Sequence, residues 1–204
     1  TGFDMGCGSG RWAKLLAPRV GTLHCIDPSS ALDVARRNLA DEPNCHFHAK
    51  GVSEEILPRG SQDFGVSLGV LHHVPDTAAG IKACVNMLKP GAPFLLYLYY
   101  ALDNRPFWFR SIWAASNLFR RIISKLPHKL RYGVSQVIAV CAYWPLARLA
   151  YLFESCGASK SFVDTVPLST YRALSFYTMR TDALDRFGTR LEQRFTKNQI
   201  RIMM

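Results

Sequence analysis

TGFDMGCGSGRWAKLL, residues 1–16, sets a short apolar run, an acid and three alternating glycines ahead of a helical pattern. A glycine turn between a strand and a helix leaves backbone N–H groups free to face a ligand. The spacing of the glycines says which ligand. A triphosphate-binding loop follows GxxxxGK[ST], and no lysine follows the glycines here. A dinucleotide loop follows GxGxxG, with its third glycine inside the first helical turn to allow close packing. The present spacing is Gly6-x-Gly8-x-Gly10, preceded by Asp4. A carboxylate at the strand end repels a pyrophosphate and suits a ligand that carries positive charge.

Working outward, strand and helix signals alternate. "GTLHCID" (21–27) reads as a strand ending at Asp27, and "SALDVARRNLA" (30–40) as a helix that Ser29 or Ser30 can cap. Arg11–Ala17 reads as a helix stopped by Pro18. "CHFHA" (45–49) and "DFGVSLGV" (63–70) are further strands. "TAAGIKACVNML" (77–88) is a helix that Asp76 can cap, closed by Lys89-Pro90-Gly91, and "APFLLYLYY" (92–100) is an apolar fifth strand. This alternation predicts an α/β fold, a Rossmann-like doubly wound and mostly parallel sheet. Such sheets bind ligands beyond the C-terminal ends of their strands, near Asp4, Asp27, Gly51, Gly69 and Tyr99.

Four stretches, in order and in register, resemble class I S-adenosylmethionine-dependent methyltransferases. "DMGCGSG" (4–10) is similar to that family's first motif, and "CIDPS" (25–29) to the end of its second strand. "QDFGVSLGVLHHVPD" (62–76) resembles the fourth-strand motif, and "MLKPGAPFLLY" (87–97) the turn into the fifth. The nearest branch acts on small molecules and includes quinone-ring and lipid methyltransferases. The resemblance implies S-adenosyl-L-methionine as cofactor. It assigns cofactor contacts to Asp4, Gly6, Cys7, Gly8, Gly10, Asp27, Pro28, Gly51, Val52, Leu68 and Gly69. Asp27 would take both ribose hydroxyls, since one carboxylate can accept two O–H bonds. Three positions depart from the family pattern. Gln62 replaces a common Phe, Gly51 stands where an acid often follows the third strand, and Ala92 replaces a glycine. Adenine contacts then fall to the backbone around Gly51 and Val52, with Glu54 a weaker candidate.

Methyl transfer from a sulfonium is an in-line displacement from an activated donor, so alignment and exclusion of water matter most. A base is needed only for a nucleophile with a proton of high pKa. Candidate catalytic side chains, by position, are His72, His73, Tyr99 and Asp103, with packing and turn formation the competing use of the two histidines. No metal-ligand spacing is present. Two other functions stay in view: a nicotinamide-dependent oxidoreductase, and a catalytically silent binding or membrane-recruitment module.

Residues 1–100 hold nine Lys/Arg and nine Asp/Glu, whereas residues 101–204 hold 16 against six and 16 of the 24 aromatics. The expected organisation is a cofactor-binding core over 1–100, a mostly helical lid and acceptor-binding insertion over 101–190, and the start of a return to the core over 191–204. Asn104 is the expected cap and Pro106 the first turn of a basic amphipathic helix running to Pro127. Its apolar positions 108, 112, 115, 119, 122 and 126 form one side, with Arg110, Asn117, Arg121 and Ser124 opposite. That apolar side either packs on the protein or meets anionic lipid or a hydrophobic acceptor, so helix 106–126 is a candidate for peripheral membrane contact. Residues 134–155 are a second helical stretch, interrupted at Pro145. The uncharged run Tyr132–Ala147 is 16 residues and reads as too short and too polar to span a bilayer.

Tyr171, Arg172, Tyr177, Arg180, Asp182, Asp185 and Arg186 are candidates for holding a polar or acidic acceptor. The competing reading is an internal network of ion pairs. Thr196 and Gln199 mark a capping box. A small-molecule substrate is expected rather than nucleic acid. Methyltransferases of exocyclic base amines carry an Asn/Asp-Pro-Pro-aromatic motif where this chain has "LGVLHH" (68–73). The six cysteines lack CxxC spacing and sit mostly in apolar runs, which predicts reduced, buried thiols and a cytoplasmic, or membrane-peripheral, setting. The short first strand and the absence of closing strands suggest a fragment. Its open sheet edge would lower stability or favour self-association.

Overall fold

A computed structural model describes all 204 residues. The chain forms two compact units, Thr1–Ala101 with Leu191–Met204, and Leu102–Arg190.

The first unit contains strands β1 (Gly2–Met5), β2 (Leu23–Ile26), β3 (Cys45–His48), β4 (Phe64–Leu68) and β5 (Phe94–Tyr97). They form one sheet in the order β3-β2-β1-β4-β5, and every pairing is parallel. The order reverses direction between β1 and β4, the place where an open parallel sheet offers a ligand crevice. Aromatic rings lying over glycines fix the centre of the sheet. Gly2 pairs with Phe64 and Phe3 with Gly65. A methyl on Gly65 would stand 2.3 Å from the Phe3 ring, and one on Gly2 would stand 2.3 Å from that of Phe64. Phe3 is fully buried with Met5, Ile26, Leu71 and Ile81, while Leu23, Cys25, Leu32 and Leu39 form a second cluster.

Helices α1 (Ala13–Leu16), α2 (Ala31–Asn38) and α3 (Thr77–Met87) connect the strands. The helix after the glycine turn starts later than Arg11. Pro18 sits within a 3-10 turn, Ala17–Arg19, that continues it. Asp76 caps α3 by accepting from the Ala79 N–H at 2.9 Å. The side chain of Ser30 makes no capping bond on α2. Beyond β5 the chain returns alongside itself: the Phe195 N–H donates to the Tyr99 carbonyl at 2.9 Å, and the Ala101 N–H to the Phe195 carbonyl at 3.0 Å. The outer side of β5 carries exposed Leu95 and Tyr97.

The second unit is helical: α4 (Phe107–Ile123), α5 (His128–Ile138), α6 (Trp144–Ser155), α7 (Lys160–Val163) and α8 (Phe176–Gly188). The last helix, α9 (Lys197–Met203), belongs to the first unit and carries the expected Thr196–Gln199 capping box. Two expectations are corrected at α4. Asn104 does not cap it, because the helix begins directly after Pro106, and it ends at Ile123 rather than running to Pro127.

A third correction concerns Pro145. It does not interrupt a helix but lies in the first turn of α6, where the missing N–H is tolerated. A π-helical turn, Ala139–Tyr143, absorbs the extra bulk and joins α5 to α6. The result is one helix, His128–Ser155, of 28 residues. It is long and apolar enough by length and composition to cross a membrane, against the expectation from the uncharged run alone. Ile123, Ala139, Tyr143, Ala147, Met179, Ala183 and Phe187 form the core of this unit.

All six cysteines are free, and four are buried; Cys141 and Cys156 are exposed, unlike the expectation drawn from their apolar surroundings.

Candidate active site

The glycine turn follows β1 because three consecutive alternate positions require a left-handed backbone. Gly6, Gly8 and Gly10 have φ of 78°, 53° and 83°, a region side chains enter only at a cost. Each glycine meets something different. A methyl on Gly6 would strike the Val70 side chain at 2.4 Å, and one on Gly10 would press on Leu39 at 3.0 Å. At Gly8 nothing lies within 4 Å. The first and third glycines therefore admit neighbouring elements, and the middle one borders open space.

Backbone bonds fasten the turn to β2. The N–H groups of Gly6 and Cys7 both donate to the Ile26 carbonyl, at 2.7 and 3.0 Å. One oxygen of Asp27 accepts from the Gly8 N–H at 2.9 Å. Its other oxygen accepts from the N–H and hydroxyl of Ser29, at 2.9 and 2.5 Å. A carboxylate offers about four acceptor positions, so three are taken here. Ser29 is a residue the sequence reading treated only as a helix cap. The Asx-type turn it makes with Asp27 is the signal that could have found it.

Asp4 lies beneath the turn and is almost fully buried, and its Oδ2 has no hydrogen-bond partner. Burial, aided by the charge of Asp27, raises its pKa to about 7. An acid left half-satisfied in the interior is expensive unless a cation or donor reaches it. Gly51 gives its N–H to Glu54 Oε1 at 2.5 Å, so that backbone donor is already engaged. Val52 packs on the first core cluster and lines a cavity of about 230 Å³ with Ile56, Leu57 and Met87; the glycine turn contributes nothing to it. Leu68 ends β4, and Gly69 (φ 80°) donates to the Tyr97 carbonyl at 3.1 Å. Pro28 sits exposed between Asp27 and Ser29.

The structure brings three of the four catalytic candidates together. Tyr99 stacks on His72 with centroids 3.7 Å apart, and His73 lies 4.1 Å from His72. His72 is fully buried and neither of its ring nitrogens has a partner. Burial, with the charges of His73 and Arg194, lowers its pKa to about 3, so its imidazole is neutral at pH 7. His73 Nδ1 pairs with the Leu191 carbonyl at 2.7 Å. Asp103 is in the second unit.

The sequence reading missed Gln193 and Arg194. The backbone N–H of Gln193 donates to the His72 carbonyl at 3.0 Å, and its side-chain amide to the Val74 carbonyl at 2.7 Å. The Arg194 guanidinium lies 5.0 Å from the Tyr99 ring centre. No local signal could reveal them, since 94 to 119 residues separate the partners.

In the second unit, the acceptor candidates engage one another and their neighbours. Tyr171 donates to Asp182 at 2.9 Å, and Arg172 pairs with Glu154 at 3.0 Å. Arg180 bonds Gln136 and the Tyr132 hydroxyl. Arg186 lies over the Trp113 ring at 5.4 Å. Tyr177 is 74% exposed. Acceptor binding here would have to exchange existing bonds.

An acid under a three-glycine turn, a second acid at the next strand end, and a parallel sheet reversing direction between β1 and β4 are the arrangement that the resemblance to class I S-adenosylmethionine-dependent methyltransferases implies. Residues 3–91 match the family described as methyltransferase domain. The chain is 30% identical over 107 residues to a ubiquinone biosynthesis O-methyltransferase of Coxiella burnetii, covering 52% of this chain and 44% of that one. It is 28% identical over 128 residues to an uncharacterized methyltransferase of Mycobacterium tuberculosis, covering 62% and 64%. The chain thus spans about half to just under two thirds of the length of these relatives. Among solved structures, the YcgJ protein of Bacillus subtilis superposes with a TM-score of 0.51 at 22% identity, over 58% of this chain and 51% of that one. A protein of Bacillus halodurans C-125 gives 0.52 at 20%, over 58% and 52%. These two likenesses bear on the fold.

The residues present fit the cofactor. Asp4 Oδ2 offers an unused acceptor to an ammonium, Gly8 leaves its side of the turn open, and Asp27 holds an acceptor position at the end of β2.

Proposed function

We propose that the protein transfers a methyl group from S-adenosyl-L-methionine to an oxygen or carbon of a small-molecule acceptor, a lipid-like or a polar, acidic metabolite. The observation that carries this reading is the buried, unpartnered Oδ2 of Asp4, in the strand that runs into a glycine turn with open space at Gly8. Asp4 would hold the ammonium and Asp27 the ribose hydroxyls, with the Ser29 hydroxyl turning aside to free an acceptor position. Leu68, Gly69 and the backbone around Gly51 and Val52 would border the base. The cofactor supplies an activated methyl, so the chain's own work is to align the acceptor and exclude water. The buried, neutral His72, stacked on Tyr99, would serve as a positioning residue rather than as the base. Asp103 and the polar residues 171–186 of the second unit remain the candidates for contact with the acceptor. A cytoplasmic or membrane-peripheral location goes with this reading.

The test is incubation of the protein with methyl-labelled S-adenosylmethionine and an extract of the source organism's lipids and small metabolites. Label should appear in a discrete product, and Asp27→Ala should weaken cofactor binding in calorimetry by tenfold or more. Equal affinity in the two proteins would remove the ribose assignment. Tight NAD binding with no response to S-adenosylmethionine would overturn the proposal in favour of an oxidoreductase. Binding without any labelled product would favour a silent binding module.

A further inference from the structure

Helix α4 buries Arg120 and leaves a row of large apolar side chains facing outward. Its buried or half-buried positions are Phe109, Trp113, Ser116, Asn117, Arg120 and Ile123, followed by the capping Ser124. Arg120 is only 4% exposed. Its guanidinium bonds Asn117 Oδ1 at 2.9 Å and the carbonyls of Thr189 and Arg190 at 2.8 and 3.1 Å. The opposite side faces outward and carries Phe107, Trp108, Leu118, Phe119 and Ile122, each between 46% and 82% exposed. An amphipathic helix of a water-soluble protein turns such side chains inward. The apolar side identified from the sequence is therefore the outer one.

The helix His128–Ser155 repeats the arrangement. It lays Ser135, Ala139, Tyr143, Ala147 and Ala150 against the core and turns Val137, Val140, Trp144, Leu149 and Leu152 outward. Between Arg131 and Arg148 it presents no charge. Only 22% of its most apolar stretch is buried, far from the burial of a soluble protein's core helix. At about 1.5 Å per residue, the uncharged stretch covers roughly 24 Å of exposed apolar helix. Both helices pack on α8, and together their outward sides present more apolar surface than a solvated monomer carries without a use.

Charge selects the occupant. Residues 102–190 hold 13 Lys/Arg and five Asp/Glu, a net +8. Exposed Arg110 and Arg121 lie on α4, Lys125 just beyond it and Lys129 at the start of the next helix, on long stems of the kind that can hold a charge above an apolar bed. Exposed Trp108, Tyr132, Trp144 and Tyr151 supply the amphipathic rings typical of a membrane–water boundary. A cationic rim around an apolar face suits an anionic bilayer, where the apolar part enters the acyl boundary and the basic part meets headgroups. A second copy of the chain would bring the same positive rim against itself.

We propose that the second unit docks on anionic lipid bilayers through the outward faces of α4 and His128–Ser155. This does not rest on the methyl-transfer reading, so either can fail alone.

The test is co-sedimentation of the full chain with phosphatidylcholine vesicles and with vesicles containing 30% phosphatidylglycerol. Wild type should pellet with the anionic vesicles at least tenfold more tightly than with the neutral ones. Leu118→Glu with Phe119→Glu should abolish pelleting, and Arg110→Glu with Arg121→Glu should erase the preference for anionic lipid. All substituted positions are exposed, except that circular dichroism must show the helix content retained; Leu118→Ser with Phe119→Ser is the milder variant if it is not, with the same expected loss. Wild type remaining in the supernatant with both vesicles, or pelleting unaffected by the apolar substitutions, would overturn the proposal. So would a dimer in light scattering that those substitutions dissociate, with no vesicle binding.

Discussion

At Asp4 the fold leaves one oxygen of a buried carboxyl group without a partner. The folded chain raises its pKa to about 7, above the ordinary value of 3.8. Ionising it therefore costs stability as pH rises from about 4 through 7, and that cost is absent in acid. An ammonium at Oδ2 would reverse the preference and hold the group ionised. Cofactor binding should then release a proton near neutrality and tighten about tenfold from pH 6 to pH 8. Calorimetry in buffers of different ionisation enthalpy measures the release directly, and Asp4→Asn should abolish both effects. A pH-independent affinity in wild type would mean that the ammonium binds elsewhere. His72 has the opposite sign. Its folded pKa lies near 3, below the ordinary 6.5, so the stability it confers is complete above about 6.5 and is lost as pH falls towards 3. The residues around Asp4 were legible in sequence because glycine at alternate positions has few other uses. The state of Asp4 was not, because an orphaned oxygen is a property of the surroundings.

The elements divide along the same line between what a periodicity fixes and what it leaves open. Strand and helix alternation over the first hundred residues gave the parallel sheet, since a period of two or of 3.6 names the element outright. At α4 the period grouped Trp108, Ile112, Ala115, Phe119 and Ile122 correctly on one side. It could not say which side faces inward, because periodicity carries no sign. Pro145 misled for a different reason: a proline reads as a helix breaker, while a π turn upstream lets the helix continue. The buried Arg120 of α4 makes a contrast between neighbours. Arg120→Ala should cost about 2–4 kcal/mol, because it leaves the Thr189 and Arg190 carbonyls and Asn117 without their donor. Phe119→Ala, one residue earlier and 61% exposed, should change stability by no more than about 0.5 kcal/mol in water. Urea denaturation of the two variants decides it, and equal losses would show that α4 does not bury Arg120.

Over the whole molecule the net positive charge and the outward apolar helices fall in one unit and the candidate cofactor residues in the other. Residues 1–100 are neutral and hold the glycine turn, whereas residues 102–190 hold a net +8 and the outward aromatics. Two ligands should therefore leave separate marks. Hydrogen exchange with S-adenosylmethionine should slow the amides of Gly6–Gly10 and Asp27–Ser29 and leave residues 107–155 unchanged. Anionic vesicles should slow 107–155 and spare the glycine turn. Protection spreading across both regions with either ligand would show that the two functions are coupled.

The return of the chain at Phe195 carries one more consequence. Its hydrogen bonds to Tyr99 and Ala101 stitch the point where the chain leaves the sheet to the point where it comes back. Such a seam makes the intervening stretch a cassette. Closing a loop costs only about 0.6 kcal/mol more for each doubling of its length, so the sheet is nearly indifferent to how much chain is threaded between its two stitched ends. Recombination with cut points at Ala101 and Leu191 could exchange the whole helical segment for another without reworking the cofactor turn. A single junction thus lets evolution, or a designer, change where such a protein sits and what it meets while keeping the same glycines.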